Sequence, residues 1–158
     1  NNASVKGPAT SKDELSFVYN KTDEPQKFAD PIKTFIIYAE TNHVFANQFP
    51  KTGKQNATSY YEVLTPVPPM LLTRHKEILE STRNEMTRAS TDGVYTNRDT
   101  YYIYKDGQMH LLNLNKNSIL KVLANKSADV TAYADNQKID FEQEEDVKKL
   151  VSYYNTLK

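Results

Sequence analysis

The sequence contains no cysteine and no tryptophan, and only four of its 158 residues are glycine. Without cysteine, the chain can form neither disulfides nor thiolate metal sites, and it has no thiol nucleophile. Four glycines leave little for a glycine-rich phosphate-binding loop, and the Walker, GxGxxG and GxSxG patterns do not occur. The sequence therefore offers no catalytic residue, no cofactor-binding residue and no metal ligand by motif.

An excess of charge is also missing, because 20 basic residues balance 20 acidic ones. The basic residues are interleaved with acids, so no stretch is suited to displacing the counterions of a phosphate backbone. No apolar run approaches the roughly 20 residues of a membrane-spanning helix, and the longest, such as 35–39 (FIIYA), fit a buried strand. We therefore expect no nucleic-acid partner and no membrane span.

The length and composition are those of one globular domain, since 38% of the residues are hydrophobic and 25% are charged. A chain of this size can bury a core without disulfides or a metal. We predict a loose polar arm over 1–13, a β-rich body over 14–114 and a helical segment over 115–158 that packs on the sheet.

The first part of the body has the alternation of β-strands. Leu15, Phe17 and Tyr19 repeat every second residue, and 31–46 is rich enough in β-branched and aromatic residues for one long or two successive strands. Residues 59–64 (SYYEVL) predict another strand. The spacing of the apolar residues in 70–79 (MLLTRHKEIL) fits a helix, whereas the family resemblance described below favours a strand there. The polar stretch 80–98 predicts an exposed loop.

A hairpin is predicted over 100–114 (TYYIYKDGQMHLLNL), because Asp106-Gly107 supplies the positive φ angles of a tight turn between two β-rich runs. Beyond it the pattern becomes helical. One helix begins near Asn117-Ser118 and a second at Ser127 or Asp129. Strands first and helices last predict an α+β fold: a mainly antiparallel sheet, as a meander or partial barrel, followed by about three short helices.

The third predicted helix begins in the acidic stretch 142–146 and buries a stripe. Val147, Leu150, Val151 and Tyr154 follow the i, i+3, i+4, i+7 spacing of a core-facing helix. The acids precede them at the positive end of the helix dipole, where Glu144 and Glu145 can pair with lysines four residues on. We interpret the acidic cluster as a helix start rather than a catalytic site.

The three histidines, His43, His75 and His110, lack metal-ligand spacing and a neighbouring nucleophile. The eleven tyrosines are more suggestive, because several occur in pairs whose members point to opposite faces of a strand. Tyr102, Tyr104 and Tyr61 are candidates for an outward surface that stacks on a sugar or a protein. The alternative, which we favour, is that the tyrosines form cross-strand pairs that stabilise the sheet.

The C-terminal part of the chain, from "YYIYKDGQMHLLNL" to "EEDVKKLVSYYNTL", resembles the tail of an uncharacterised family of exported Bacteroidota proteins. The upstream segments "DELSF", "FADPIKTF" and "YYEVL" also match that family at similar spacing. The resemblance implies export to the periplasm or cell surface, and it supplies no activity. The family has more β-strand before its "DEL" segment, so we expect this N-terminus to be truncated. Any leader would then already be absent from the chain.

Three hypotheses about function follow. The first, which we favour, is a non-enzymatic exported domain, without a cofactor, that binds a protein or envelope partner through its sheet or a polar loop. The second is a small-ligand or glycan-binding module that uses outward tyrosines. The third is an enzyme of an unrecognised class, which requires His75 or His110 to meet carboxylates in a cleft.

Overall fold

A computed structural model describes residues 4–6, 16–18, 24, 26–27, 32–38, 42–75, 77–80 and 94–157. Eleven strands occur in these residues: β1 (Ser4–Lys6), β2 (Ser16–Val18), β3 (Gln26–Lys27), β4 (Thr34–Tyr38), β5 (Asn42–Ala46), β6 (Tyr61–Val63), β7 (Met70–Arg74), β8 (Glu77–Glu80), β9 (Val94–Asn97), β10 (Thr100–Lys105) and β11 (Gln108–Leu112). They are followed by α1 (Lys116–Val122), α2 (Ser127–Gln137) and α3 (Glu144–Tyr154).

The main sheet is an open antiparallel meander of six strands in the order β11-β10-β7-β6-β5-β4. It does not close, so the predicted α+β fold is confirmed in its meander form. Strands β1, β2 and β3 form a separate small sheet. Ser4–Lys6 pair antiparallel with Ser16–Val18, so the prediction of a loose arm is wrong for these three residues. The rest of 1–13 lies outside the described residues.

The stretch 70–79, which fitted helix or strand, is strand over β7 and the first residues of β8. Arg74 pairs with Thr100, and Glu77 pairs with Asn97. Both pairings have the same register, so β7–β8 and β9–β10 continue each other as one antiparallel ribbon. The predicted loop over 80–98 contains β9 at its end, and 81–93 lie outside the described residues. In this register His75 lies opposite Asp99, which matters for the site.

The hairpin between β10 and β11 turns at the predicted dipeptide. Asp106 and Gly107 have φ angles of 51° and 76°, the left-handed values that a two-residue type I′ turn needs. Lys105 pairs with Gln108 directly across the turn, which fixes the register of both strands.

The three helices cover one face of β7, β10 and β11. Leu71, Ile103 and Leu112 of the sheet are buried there, together with the predicted stripe of α3: Val147, Leu150, Val151 and Tyr154. Helix α2 starts at Ser127, the first of the two predicted positions. Helix α1 is capped by Asn115, whose side chain accepts the Ser118 N–H at 2.9 Å, and not by the predicted Asn117-Ser118. None of these helices has the length and apolar composition needed to cross a membrane.

The opposite face of the sheet has its own smaller cluster. Phe49, carried by the segment between β5 and β6, packs on Tyr61, Leu72 and Tyr102. The middle of the sheet is therefore covered on this face as well.

Candidate functional site: a histidine–carboxylate network beside an open sheet edge

One row of paired side chains crosses the whole sheet on the face that carries the helices. Its members are Phe35, Phe45, Glu62, Thr73, Tyr101 and Leu112. Leu112 lies in the core under the helices, whereas Phe35 lies on the edge strand β4. Glu62 is in the middle of the row and is only 8% exposed. A carboxylate with so little access to water needs charged or hydrogen-bonding partners.

Two histidines supply those partners from the neighbouring strands. His43 Nδ1 donates to Glu62 Oε1 at 2.5 Å, and His75 Nε2 donates to Glu62 Oε2 at 2.5 Å. The other ring nitrogen of His75 donates to Asp99 Oδ1 at 2.8 Å. We call His43, Glu62, His75 and Asp99 the histidine–carboxylate network.

The register of the sheet explains why these four residues meet. Glu62 pairs with Phe45 on β5 and with Thr73 on β7. His43 and His75 are each two residues from one of these partners, so both project from the same face of the sheet as Glu62. Asp99 reaches His75 because the two lie opposite each other in the ribbon. The positions of the four residues are thus fixed by three backbone pairings: β5 with β6, β6 with β7, and β7 with β10.

The histidines and carboxylates of the network stabilise each other's charged forms. The hydrogen bond to Glu62, followed by the bond to Asp99, raises the pKa of His75 to about 9, although burial opposes the shift. Burial alone would raise the pKa of Glu62, but the hydrogen bonds from His75 and His43 and their charges outweigh it and lower this pKa. At neutral pH, therefore, His75 is a cation between two carboxylates.

This arrangement differs from the one that a catalytic histidine needs. A general base must offer an unprotonated nitrogen near neutral pH, and a metal ligand must offer a nitrogen lone pair. Both nitrogens of His75 donate to carboxylates instead. Within the described residues, no set of three or more histidines and acids has an arrangement that could hold a metal ion.

The acidic start of α3 also reaches this face of the sheet. Tyr101 donates a hydrogen bond to Glu144, and burial together with this bond raises the pKa of Tyr101. Lys148 Nζ lies 3.6 Å from Glu145, and Lys149 Nζ lies 2.7 Å from Asp146. Each lysine therefore pairs with an acid three residues before it, and the predicted spacing of four residues is wrong. The acids do begin a helix, and one of them also anchors the helix to the sheet.

Aromatic rings lie between the network and the sheet edge. Phe35 stacks on Phe45 with ring centres 4.9 Å apart, and Phe45 meets His75 edge to face at 6.4 Å. Tyr60 packs edge to face on Phe35 and donates its hydroxyl hydrogen to the Ile32 carbonyl. These contacts hold β4 against β5 and β6 through side chains as well as through the backbone.

The outer edge of β4 is open, since none of the described strands pairs with it. The Asn47 N–H donates to the Lys33 carbonyl at 3.0 Å, which identifies Lys33 and Asn47 as a hydrogen-bonded pair. Because such pairs alternate along an antiparallel ladder, Phe35 and Ile37 also bond inward to β5. The backbone groups of Thr34, Ile36 and Tyr38 therefore face outward.

The side chains at this edge are apolar and accessible. Tyr38 is 77% exposed and Ile36 is 45% exposed, and Ile37 on the other face is also accessible. The five residues of β4 include no charge and no proline. Such an edge is a template on which a further strand can form hydrogen bonds.

The three tyrosines that are candidates for an outward binding surface do not form one. Tyr61 and Tyr102 are only 1% and 5% exposed, because the segment that carries Phe49 covers their face of the sheet. Tyr104 is partly buried against Phe49, with ring centres 5.4 Å apart. The prediction that these three rings point outward is therefore wrong for Tyr61 and Tyr102.

Sequence reasoning missed the acids of the network. The enzyme hypothesis requires carboxylates near His75, but Glu62 lies within the predicted strand SYYEVL, and Asp99 lies between the predicted loop over 80–98 and the predicted hairpin over 100–114. The signal that would have found them is the strand register, which short motifs do not carry. His110, on β11, lies across from Ile103 and is not part of the network.

Two cavities lie elsewhere on the surface. One of about 580 Å³ is formed by residues 113–121 at the start of α1, and one of about 340 Å³ lies between Pro68, Lys105 and Tyr154. Lys105 is already engaged in the second cavity, where its Nζ donates to the Val122 carbonyl and to Asn125. Neither cavity includes the histidine–carboxylate network.

No family model, no curated protein and no solved structure significantly matches this chain.

Proposed function

We propose that this protein is a non-enzymatic, exported domain that binds a protein partner by accepting an extended segment of it on the open edge of β4. The observation that carries this proposal is the uncharged, accessible edge formed by Thr34, Ile36 and Tyr38. In this mode of recognition, main-chain hydrogen bonds provide affinity, and side chains that alternate along the strand provide specificity.

The composition of β4 favours a binding role over a passive one. Proteins normally protect an edge strand with lysine, proline, a bulge or a covering segment, because a bare edge pairs with other chains. Strand β4 has none of the first three, and it pairs regularly with β5 along all five residues. An edge that keeps both its regular geometry and its apolar side chains is suited to a strand from a partner.

The two alternative functions have less support. A glycan-binding surface would need accessible rings in a row, whereas Tyr61 and Tyr102 are buried. An enzyme centred on His75 would need an available ring nitrogen, whereas both nitrogens donate to carboxylates. The network instead holds β5, β6 and the β7–β10 ribbon together behind the edge, which stabilises a binding platform.

Photo-crosslinking from the edge tests the proposal. A photoreactive phenylalanine analogue replaces Tyr38 in the full-length protein, which is mixed with an envelope extract of the source organism and irradiated. The control carries the analogue at Leu111, another exposed position, on β11 at the opposite end of the sheet. We expect adducts from position 38 that map by mass spectrometry to one extended segment, and none of comparable yield from position 111.

A proline pair separates strand addition from non-specific contact. Ile36→Pro removes an outward N–H and leaves the ladder between β4 and β5 intact, so it should abolish the adducts without unfolding the protein. Ile37→Pro removes an inward N–H and should instead destabilise the sheet. Equal yields from positions 38 and 111, or adducts that persist in the Ile36→Pro variant, would contradict binding at this edge.

The exported location is proposed on the family resemblance alone. Fractionation of the source organism, with antibodies against this protein and against a cytoplasmic marker, tests it directly. We expect the protein in the envelope or periplasmic fraction, and its recovery with the cytoplasmic marker would overturn this part of the proposal.

A further inference from the structure

We infer that a second copy of this chain is a partner for the open edge, with the two β4 strands antiparallel and centred on Ile36. This inference rests on the proposed function of β4 as a strand-accepting edge, and it names the partner. It joins two six-stranded sheets across a two-fold axis, which is the symmetry of most soluble homodimers.

The outward backbone groups of β4 can pair with the same groups of a second copy related by that two-fold axis. They belong to Thr34, Ile36 and Tyr38, which are evenly spaced about Ile36. Rotation about a two-fold axis through Ile36 places Ile36 opposite Ile36 and Thr34 opposite Tyr38 of the other copy. Each of these pairs exchanges two N–H···O bonds, so about six bonds would form and no outward group of the three residues would be left over.

The charges of the edge also allow two identical copies to approach. A symmetric contact brings the residue on its two-fold axis close to its own equivalent, so a charge there would meet a like charge. Strand β4 carries no charge, and the whole chain has a formal net charge of zero. Neither short-range nor long-range repulsion opposes the pairing.

The side chains around the axis provide apolar burial. Ile36 and Tyr38 are among the most exposed large apolar side chains that the structure describes. In the proposed register, Ile36 packs on its equivalent, and each Tyr38 ring lies over Thr34 of the other copy. An aromatic ring next to a β-branched side chain is a favourable cross-strand pair.

The size of the contact predicts a weak dimer. Five strand residues span about 17 Å, and about six hydrogen bonds is at the low end for an interface between two proteins. We therefore expect association with a dissociation constant on the order of micromolar or weaker, which depends visibly on protein concentration.

Single cysteines test the register, and the natural chain provides a background without cysteine. The Cα atoms of a hydrogen-bonded antiparallel pair lie about 5.5 Å apart, within the range that a disulfide spans. Ile36→Cys should therefore form a disulfide-linked dimer under mild oxidation. Tyr38→Cys should not, because in this register its equivalent is displaced by four residues along the pair. Leu111→Cys is the control for random collision.

A charge-swap experiment tests the association without a covalent bond. Sedimentation of the wild-type protein over a range of concentrations should show a monomer–dimer equilibrium. Ile36→Lys and Ile36→Glu should each weaken the dimer at least about tenfold, because like charges then face each other across the axis. An equal mixture of the two variants should restore association, because the Lys and Glu then pair.

The outcomes separate this inference from the proposed function. A wild-type protein that stays monomeric at several hundred micromolar, or equal disulfide yields from positions 36, 38 and 111, would overturn the second copy as partner. If photo-crosslinking from position 38 still captured one extended segment of another protein, the proposed function would stand. If the protein forms no dimer and position 38 captures no extended segment of another protein, both this inference and the proposed function are wrong.

Discussion

The two halves of the main sheet, β7, β10 and β11 on one side and β4, β5 and β6 on the other, are stabilised by different interactions. In β7, β10 and β11 the face under the helices is apolar, and Leu71, Ile103 and Leu112 are buried. In β5 and β6 the same face carries His43 and Glu62, and the described contacts of the helices with the sheet involve β7 and β11 instead. The first half stabilises the fold by apolar burial, whereas the second satisfies a buried charge and leaves its edge accessible.

The two ends of the sheet differ in a related way. On β11, the hairpin register makes Met109 and Leu111 the residues whose backbone faces outward. The Asn113 N–H, next in that series, already donates to the Ser118 hydroxyl at 3.1 Å, and α1 follows directly. The edge at β4 has three outward residues without such a cap in the described structure. Of the two ends, β4 therefore has the longer uncapped edge in the described structure.

The largest expected effect is in the helix-covered half. Leu150→Ala removes a fully buried side chain from the core of α3 and should lower the free energy of unfolding by about 2–5 kcal/mol. Ile37→Ala, in the accessible half, should lower it by no more than about 1–2 kcal/mol, because 36% of that residue is already exposed to water. Urea unfolding followed by circular dichroism measures both. Equal losses would show that the two halves do not differ in this way.

Removal of the charge at the centre of the network should have an intermediate effect. Glu62→Gln leaves His43 and His75 facing a neutral amide, and we expect a loss of about 1–3 kcal/mol of unfolding free energy. The pKa of His75, about 9 in the wild type, should fall toward its usual value near 6.5. Titration of the imidazole signals by NMR measures that shift. A pKa that stayed near 9 would mean that Asp99 alone holds the proton on His75.

The network also predicts how stability depends on pH. Since folding raises the pKa of His75 from 6.5 to about 9, its contribution is fully present below pH 6.5 and is lost as the pH rises through about 9. Folding lowers the pKa of Glu62 below 4.5, so its contribution is present above pH 4.5 and is lost on further acidification. The stabilising effect of the pair should therefore be largest between pH 4.5 and 6.5.

Comparison with His75→Gln isolates this contribution from other titrations. Urea midpoints measured from pH 5 to pH 9.5 should fall more steeply above pH 6.5 in the wild type than in the variant. The two proteins should converge at the alkaline end of the range. Parallel curves would mean that His75 is not an ion-pair partner of Glu62 in solution.

The smallest effect is expected at the solvent side of α3. Glu145→Gln removes an exposed partner of Lys148, 3.6 Å away, and one negative charge from the first turn. Exposed ion pairs contribute little, so we expect a change of no more than about 0.5 kcal/mol. Glu144→Gln is the informative comparison, because it also weakens the contact with Tyr101 that attaches α3 to the sheet. Differential scanning calorimetry of both variants should rank Glu144→Gln as the more destabilising.

The fold could be predicted from the sequence wherever a pattern is local. The β-rich runs of β10 and β11, the Asp106-Gly107 turn and the apolar stripe of α3 all depend on residues within a few positions of one another. Residues 70–79 stay ambiguous in the sequence because their spacing fits a helix whereas the family resemblance favours a strand, and pairing with β6, β9 and β10 makes them strands. The cap at Asn115 was missed because Asn117-Ser118 offers a similar local signal.

The site could not be predicted in the same way, because it depends on which strands are neighbours. Glu62 reads as the polar position of an alternating strand, and only the register shows that two histidines flank it. The sequence also allows Tyr61 and Tyr102 to be surface rings. In the structure they are buried, because the segment that carries Phe49 packs over them. The apolar edge at β4 is visible in the sequence as FIIY, but its position at the end of the sheet is not.

The position of α3 has a consequence for the order of events during synthesis. Its four core residues complete the cover of a sheet whose last strand ends about thirty residues earlier. The Asn155 side chain then ties the helix end to the carbonyls of Val67 and Pro69, ahead of β7. Until α3 has left the ribosome, the apolar face around Leu71 and Ile103 is not fully covered. The nascent chain should therefore expose this face to other chains until α3 has been synthesised.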